Sequence, residues 1–116
     1  MSQEHQRFMR ILVLYDLPVN TPKARKIYAM FRRFLLNDGY VMVQFSVYAR
    51  LIHGLSSVDK HLSRLRQNAP SEGSIRCIIV TEKQYASMIV LTGEKVFQEK
   101  IDQKGRIVAL FTSDFL

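Results

Sequence analysis

Cysteine is almost missing from this 116-residue chain, where Cys77 stands alone. No internal disulfide can form, and no cysteine–histidine spacing suits a structural zinc ion. His5, His53 and His61 fit no metal-ligand pattern and read as scattered polar residues. No unbroken apolar run exceeds five residues, the length of Ile11–Tyr15 and Ile107–Phe111. A membrane-spanning helix needs roughly 20, so no membrane association is expected. The opening Met-Ser-Gln-Glu-His-Gln-Arg has none of the apolar stretch of an export signal. Together with the lack of disulfides, this points to the cytoplasm. Also missing are a glycine-rich phosphate loop, a Gly-x-Ser-x-Gly nucleophile turn and the aromatic pattern of single-strand RNA readers.

Acidic residues are scarce where basic ones are dense. Lys and Arg number 17 against 10 Asp and Glu, a net charge of +7. Residues 1–66 hold eleven basic and four acidic residues, whereas residues 67–116 hold six of each. A basic half on a small chain suits a polyanionic partner, most often nucleic acid. The plainer alternative is charge that only keeps the protein in solution.

The remaining residues form a patterned globular domain. Arg10-Ile-Leu-Val-Leu-Tyr-Asp16 reads as a buried strand stopped by Leu17-Pro18. Thr21-Pro22 supplies an N-cap and a first-turn proline, and Ala24, Ile27, Tyr28, Phe31, Phe34 and Leu35 recur at helical spacing. Gly39 suits a left-handed helix end. Tyr40–Leu51 is long for one strand and is expected to bend or divide; Val41, Val43, Phe45, Val47 and Ala49 alternate with Gln44, Ser46, Tyr48 and Arg50. Leu55, Val58, Leu62 and Leu65 predict a second helix closed by Pro70, followed by a buried strand over Ile75–Thr81. A tight connection at Glu82–Tyr85 leads to a strand over Ser87–Leu91, and Arg106–Phe111 forms a last, lone strand.

This order predicts an α/β (α+β) chain, a ferredoxin-like split β-α-β sandwich with extra C-terminal strands and both helices on one sheet face. The other face would be too apolar for water, and a sheet-to-sheet homodimer would cover it. The expected layout is an N-terminal tail at 1–8, a ferredoxin-like domain at 9–92, a polar loop at 93–105, and a strand and tail at 106–116 that contact a partner.

Two sets of residues carry the chemistry. Lys23, Arg25, Lys26, Arg32 and Arg33 fall within eleven residues of the first helix with no acid among them. Their mutual repulsion makes sense if phosphates neutralise them, although a solvated helix face is the simpler account of any such run. The second helix adds Lys60, Arg64 and Arg66, with only Asp59 opposing. Asp16, at the C-terminal end of the first strand, reads in two ways. It is either a turn residue bonding nearby backbone N–H groups or a carboxylate able to hold Mg²⁺ with waters completing the shell. One carboxylate is too few for two-metal phosphodiester cleavage, unless a dimer brings two copies together. Cys77, among Ile78, Ile79 and Val80, is expected to be inert core.

Leu14-Tyr15-Asp16, the basic helix, Gly39-Tyr40 and Gln44-Phe45-Ser46-Val47-Tyr48 together resemble the small CRISPR-associated adaptation protein, the second core Cas protein. Val80-Thr81-Glu82-Lys83-Gln84-Tyr85 with Met88-Ile89 resembles its type II form, and the likeness spans roughly residues 9–111. The resemblance implies a ferredoxin-like homodimer with the first-strand aspartate, here Asp16, as metal ligand and catalytic residue. It implies that the protein sits between copies of the CRISPR integrase and holds spacer-precursor duplex DNA, with residues 106–116 on a partner. It also implies the alternative of a Mg²⁺-dependent endoribonuclease or endodeoxyribonuclease. A ferredoxin-like RNA-binding regulator is a third reading.

Overall fold

The computed structural model describes residues 8–93, 97–101 and 107–111, with side chains through residue 93. The chain divides into two compact units, Met1–Ala86 and Ser87–Leu116. Most of the expected tail, and Arg106 with residues 112–116, lie outside the described residues.

In the first unit β1 (Phe8–Asp16) is central because it is apolar on both faces for most of its length. It pairs antiparallel with β3 (Val47–His53) and β4 (Ser74–Thr81), and β2 (Val41–Gln44) adds beyond β3, giving the order β2-β3-β1-β4. Helices α1 (Pro22–Asn37) and α2 (Val58–Asn68) connect β1 to β2 and β3 to β4, so the arrangement is ferredoxin-like. Among the described residues no helix is long and apolar enough to cross a membrane.

Strand alternation sends Met9, Ile11, Val13 and Tyr15 to the helix side, where they pack with Phe31, Leu35, Tyr48, Ile52 and Leu65. Thr21 caps α1 by accepting from the Ala24 N–H at 3.0 Å. Gly39, at φ +94°, turns the chain out of the helix.

The segment Tyr40–Leu51 divides as expected, at Phe45–Ser46, with Ser46 in the left-handed region at φ +63°. Its faces are used differently from what hydrophobicity suggests. Val41, Val47 and Ala49 share the outer face, while Tyr48, from the set read as polar, is 1% exposed beneath the helices. A tyrosine ring is apolar enough to serve as core.

Four other expectations change. The first strand begins at Phe8, within the expected tail. β4 is an edge strand, not a buried one: Arg76, Cys77 and Ile78 are exposed, so Cys77 is not core. Glu82–Ala86 forms a short helix, α3, instead of a tight connection. Its start is a reciprocal cap: Gln84 N–H donates to Thr81 Oγ1 at 3.0 Å, and Thr81 N–H donates to Gln84 Oε1 at 2.9 Å. Ser87–Leu91 is not a strand, since apolar composition over so short a run does not decide its conformation.

In the second unit β5 (Phe97–Ile101) pairs antiparallel with β6 (Ile107–Phe111), in register from Phe97↔Phe111 to Ile101↔Ile107. The stretch 93–105 therefore contains a strand where a polar loop was expected, and the final strand is not alone. Gln98-Glu99-Lys100 hid it, because three successive polar residues break the alternation by which a strand is recognised.

Candidate nucleic-acid interface and strand-end carboxylate

Arg10, Leu12, Leu14 and Asp16 alternate with the core residues of β1 and so occupy the outer face of the sheet. Asp16 is exposed and stands opposite Ser74 in register. Two tight turns hold it there. On one side Gly73 has φ +88°, and a Cβ at that position would lie 2.6 Å from the Asp16 carbonyl oxygen and 2.8 Å from Leu17 Cδ2. Only glycine lets the chain enter β4 this close to Asp16. On the other side Tyr15 N–H donates to the Ser46 carbonyl at 3.0 Å. Gly73 was not singled out from the sequence, though Glu72-Gly73-Ser74 carried a turn signal.

The Asp16 carboxylate accepts no hydrogen bond and forms no ion pair among the described residues, so the turn-bonding account of this side chain is not seen. No group of three or more His, Cys, Asp or Glu able to hold a metal ion occurs among the described residues. The described part of a single chain thus does not fit a protein-only metal cage. It fits a hard cation held by one carboxylate, water and phosphate oxygens.

The α1 cations are presented outward. Lys23, Arg25, Lys26, Arg32 and Arg33 are all exposed, and no described acidic side chain pairs with any of them. The first turn of α1 contains no acidic residue. Cations at a helix N-terminus oppose the macrodipole, so Lys23, Arg25 and Lys26 work against helix stability and favour a bound anion. Arg25 is partly positioned, its Nη1 donating to the Val19 carbonyl at 3.0 Å.

On α2, Lys60 and Arg66 are exposed but Arg64 is engaged within the fold. Its Nε lies 3.0 and 3.2 Å from the two Asp38 carboxylate oxygens. Its Nη2 donates to His61 Nδ1 at 2.7 Å, the only direction open because guanidinium has no acceptor. Arg50 Nε donates to the Asp38 carbonyl at 2.7 Å. Arg64 therefore ties α2 to the end of α1, with 36% of its side chain still exposed. His61 is 4% exposed. Burial first, then the charges of Arg50, Arg64 and Lys60, push its pKa down to about 4.

The Asp16 side chain and the α1 cations lie on opposite sides of the sheet, joined by the short connection from β1 to α1. A cavity of about 640 Å³ opens beside that connection, with Ile27, Met30, Phe31 and Phe34 as its apolar wall and Lys23 and Glu72 among its polar lining.

The model of the family described as CRISPR associated protein Cas2 matches residues 9–88. A protein of Acidovorax ebreus named CRISPR-associated endoribonuclease Cas2 is 58% identical over 103 residues, covering 89% of this chain and all (100%) of the relative. Proteins of the same name from Streptococcus mutans and Campylobacter jejuni are 45% and 39% identical, covering 75% and 93% of this chain and 80% and 75% of their own lengths.

Proposed function

The chain belongs to the CRISPR-associated Cas2 family, which supports a role in CRISPR adaptation, and from that premise we propose that it is a duplex-DNA scaffold. In this reading a homodimer in the cytoplasm grips spacer-precursor DNA through its phosphates and bridges copies of the CRISPR integrase. The observation that carries it is the outward face of α1, with five exposed cations and no described acidic partner. A protein that must accept any spacer sequence relies on phosphate contacts, which fix position without reading bases.

Dimer formation is supported by the outer sheet face. Leu14 and Ile78 are 39% and 53% exposed there, and Leu12 and Val47 are half-buried. A second copy would cover this face. Residues 106–116 are proposed to contact a partner.

A second reading, metal-dependent endonuclease, is favoured by the exposed Asp16 carboxylate and by the relatives' endoribonuclease names. Two outer faces packed together would bring two Asp16 carboxylates to one interface. Mg²⁺ bound there would supply an activated water and stabilise charge on the phosphate. Asp16 would hold the ion, and Gly73 and Ser46 would fix the backbone that aims it.

The test is a salt series with several unrelated duplexes. If about eight phosphates are neutralised, log K should fall against log salt with a slope near −7. Arg32→Glu combined with Arg33→Glu should weaken binding to every duplex alike and leave the fold intact. No loss of binding would place DNA on another surface, and a sequence-selective loss would point to base readout.

A further inference from the structure

The tip of the β2–β3 hairpin carries a side chain that neither the core nor a phosphate grip uses. Phe45 is 77% exposed. The ring is nevertheless supported. It stacks on Tyr28 of α1 with centroids 6.2 Å apart and planes 23° from parallel. Tyr28 packs against the core and meets the Tyr15 ring edge-on at 5.8 Å. The backbone beside Phe45 is pinned as well: Ser46 sits at φ +63°, its carbonyl takes the Tyr15 N–H at 3.0 Å, and its Oγ is 3.4 Å from the Tyr28 hydroxyl. One face of the ring thus rests on a buttressed aromatic, and most of its remaining surface is open.

The surroundings decide what suits that open surface. Arg25 and Arg32 stand three residues before and four after Tyr28, which makes them its neighbours on the helix surface. Both are exposed, and neither pairs with a described acid. An aromatic ring stacked on a helix residue that two arginines flank matches a ligand that carries a flat ring and negative charge on the same unit. A nucleotide is such a ligand. Bases inside a duplex are covered on both faces by their neighbours, so the ligand must be unpaired or lie at a splayed end.

We infer that Phe45 is a stacking platform for an unpaired nucleobase, with Arg25 and Arg32 holding the adjoining phosphates. The inference rests on the nucleic-acid reading above and adds to it a preference for duplexes that carry a single-stranded extension. The hairpin tip bonds to Tyr15, next to Asp16, so the extension would reach the same end of the sheet as that carboxylate.

The experiment compares the full-length protein on a blunt duplex and on the same duplex with a short overhang bearing 2-aminopurine at its first unpaired position. Wild type should bind the overhang about ten-fold more tightly, from the usual strength of base–aromatic stacking, and should quench the probe. Phe45→Ala should abolish the gain and the quenching while blunt-duplex affinity stays within about two-fold, and Phe45→Trp should preserve both. Equal wild-type affinity for the two DNAs, or an undiminished gain in Phe45→Ala, overturns the platform but leaves the phosphate grip standing. Failure of wild type to bind either DNA overturns both. A change of oligomeric state in Phe45→Ala with the overhang gain retained assigns the ring to a protein contact instead.

Discussion

Of the two helices on one face of the sheet, α1 leaves all of its basic residues exposed and α2 commits one of its three to the fold. On α1 five cations point outward with no described acid to meet them, whereas on α2 the Arg64 guanidinium is held by Asp38 and His61. The outer face of β1 repeats the contrast within a single strand. Arg10, 2% exposed, donates to both Glu82 carboxylate oxygens, at 2.6 and 3.0 Å, and lies 4.4 Å above the Tyr85 ring. Asp16, six residues on, is exposed and has no described partner. A buried charge is tolerated only when it is paired and hydrogen-bonded, so Arg10 belongs to the fold, while Arg64, with 36% of its side chain exposed, is paired at its surface. An exposed, unmatched charge adds little to stability and is free for a ligand.

The sharpest way to break this contrast is at Arg10. Arg10→Ala leaves Glu82, the first residue of α3, unpaired and should cost about 3 kcal/mol, as expected for removing one partner of a buried pair. Urea unfolding measures it, and a loss below about 1 kcal/mol would mean that Arg10 is no more structural than a surface cation.

The α1–α2 junction gives a pH-dependent form of the same comparison. His61 is neutral in the fold with a pKa near 4, against an ordinary value of 6.5. The unfolded chain therefore binds more protons between those values, so stability contributed here falls as pH drops from 6.5 to 4 and levels off below. The expected loss is about 2 kcal/mol, a conservative figure for a shift of this size at 1.36 kcal/mol per unit. Unfolding curves at pH 7 and pH 4.5 should differ less in His61→Asn than in wild type. Equal pH dependence would remove His61 from the junction's electrostatics.

The smallest stability effect should come from Asp16→Ala, within about 0.5 kcal/mol for a surface change that breaks no bond. The same variant should lose any Mg²⁺-dependent cleavage and keep duplex binding. Cleavage that persists in rigorously purified Asp16→Ala would exclude Asp16 as the metal ligand, and melting well below wild type would show that it has a hidden structural partner.

Much of the fold was readable because it rests on local rules. Thr21-Pro22, the α1 stripe and Gly39 set one helix from cap to exit, and β1 announced itself by an apolar run ending in Asp-Leu-Pro. The readings that changed depended on neighbours. Cys77 and Ile78 look like core in sequence, but β4 has a strand on one side only. Phe97–Ile101 looks like loop, and it becomes a strand by pairing with β6. Phe45 counted as one more apolar position in an alternating strand until the turn at Ser46 lifted it out of the sheet.

The candidate site divides along the same line. Sequence by itself determined the composition of the surface: a basic first half, an acid-free stretch from Lys23 to Arg33, and one carboxylate at the end of the first strand. It could do so because helical period and strand alternation are local, and each residue's side follows from its spacing. Tertiary structure alone decided which charges remain available. Arg10 meets Glu82 across 72 residues of chain and Arg64 meets Asp38 across 26, and no spacing rule anticipates those encounters. The first takes the Arg10 guanidinium away from any ligand, because a charge drawn into the interior must be matched where it lies, and the second engages Arg64 at the surface of the fold.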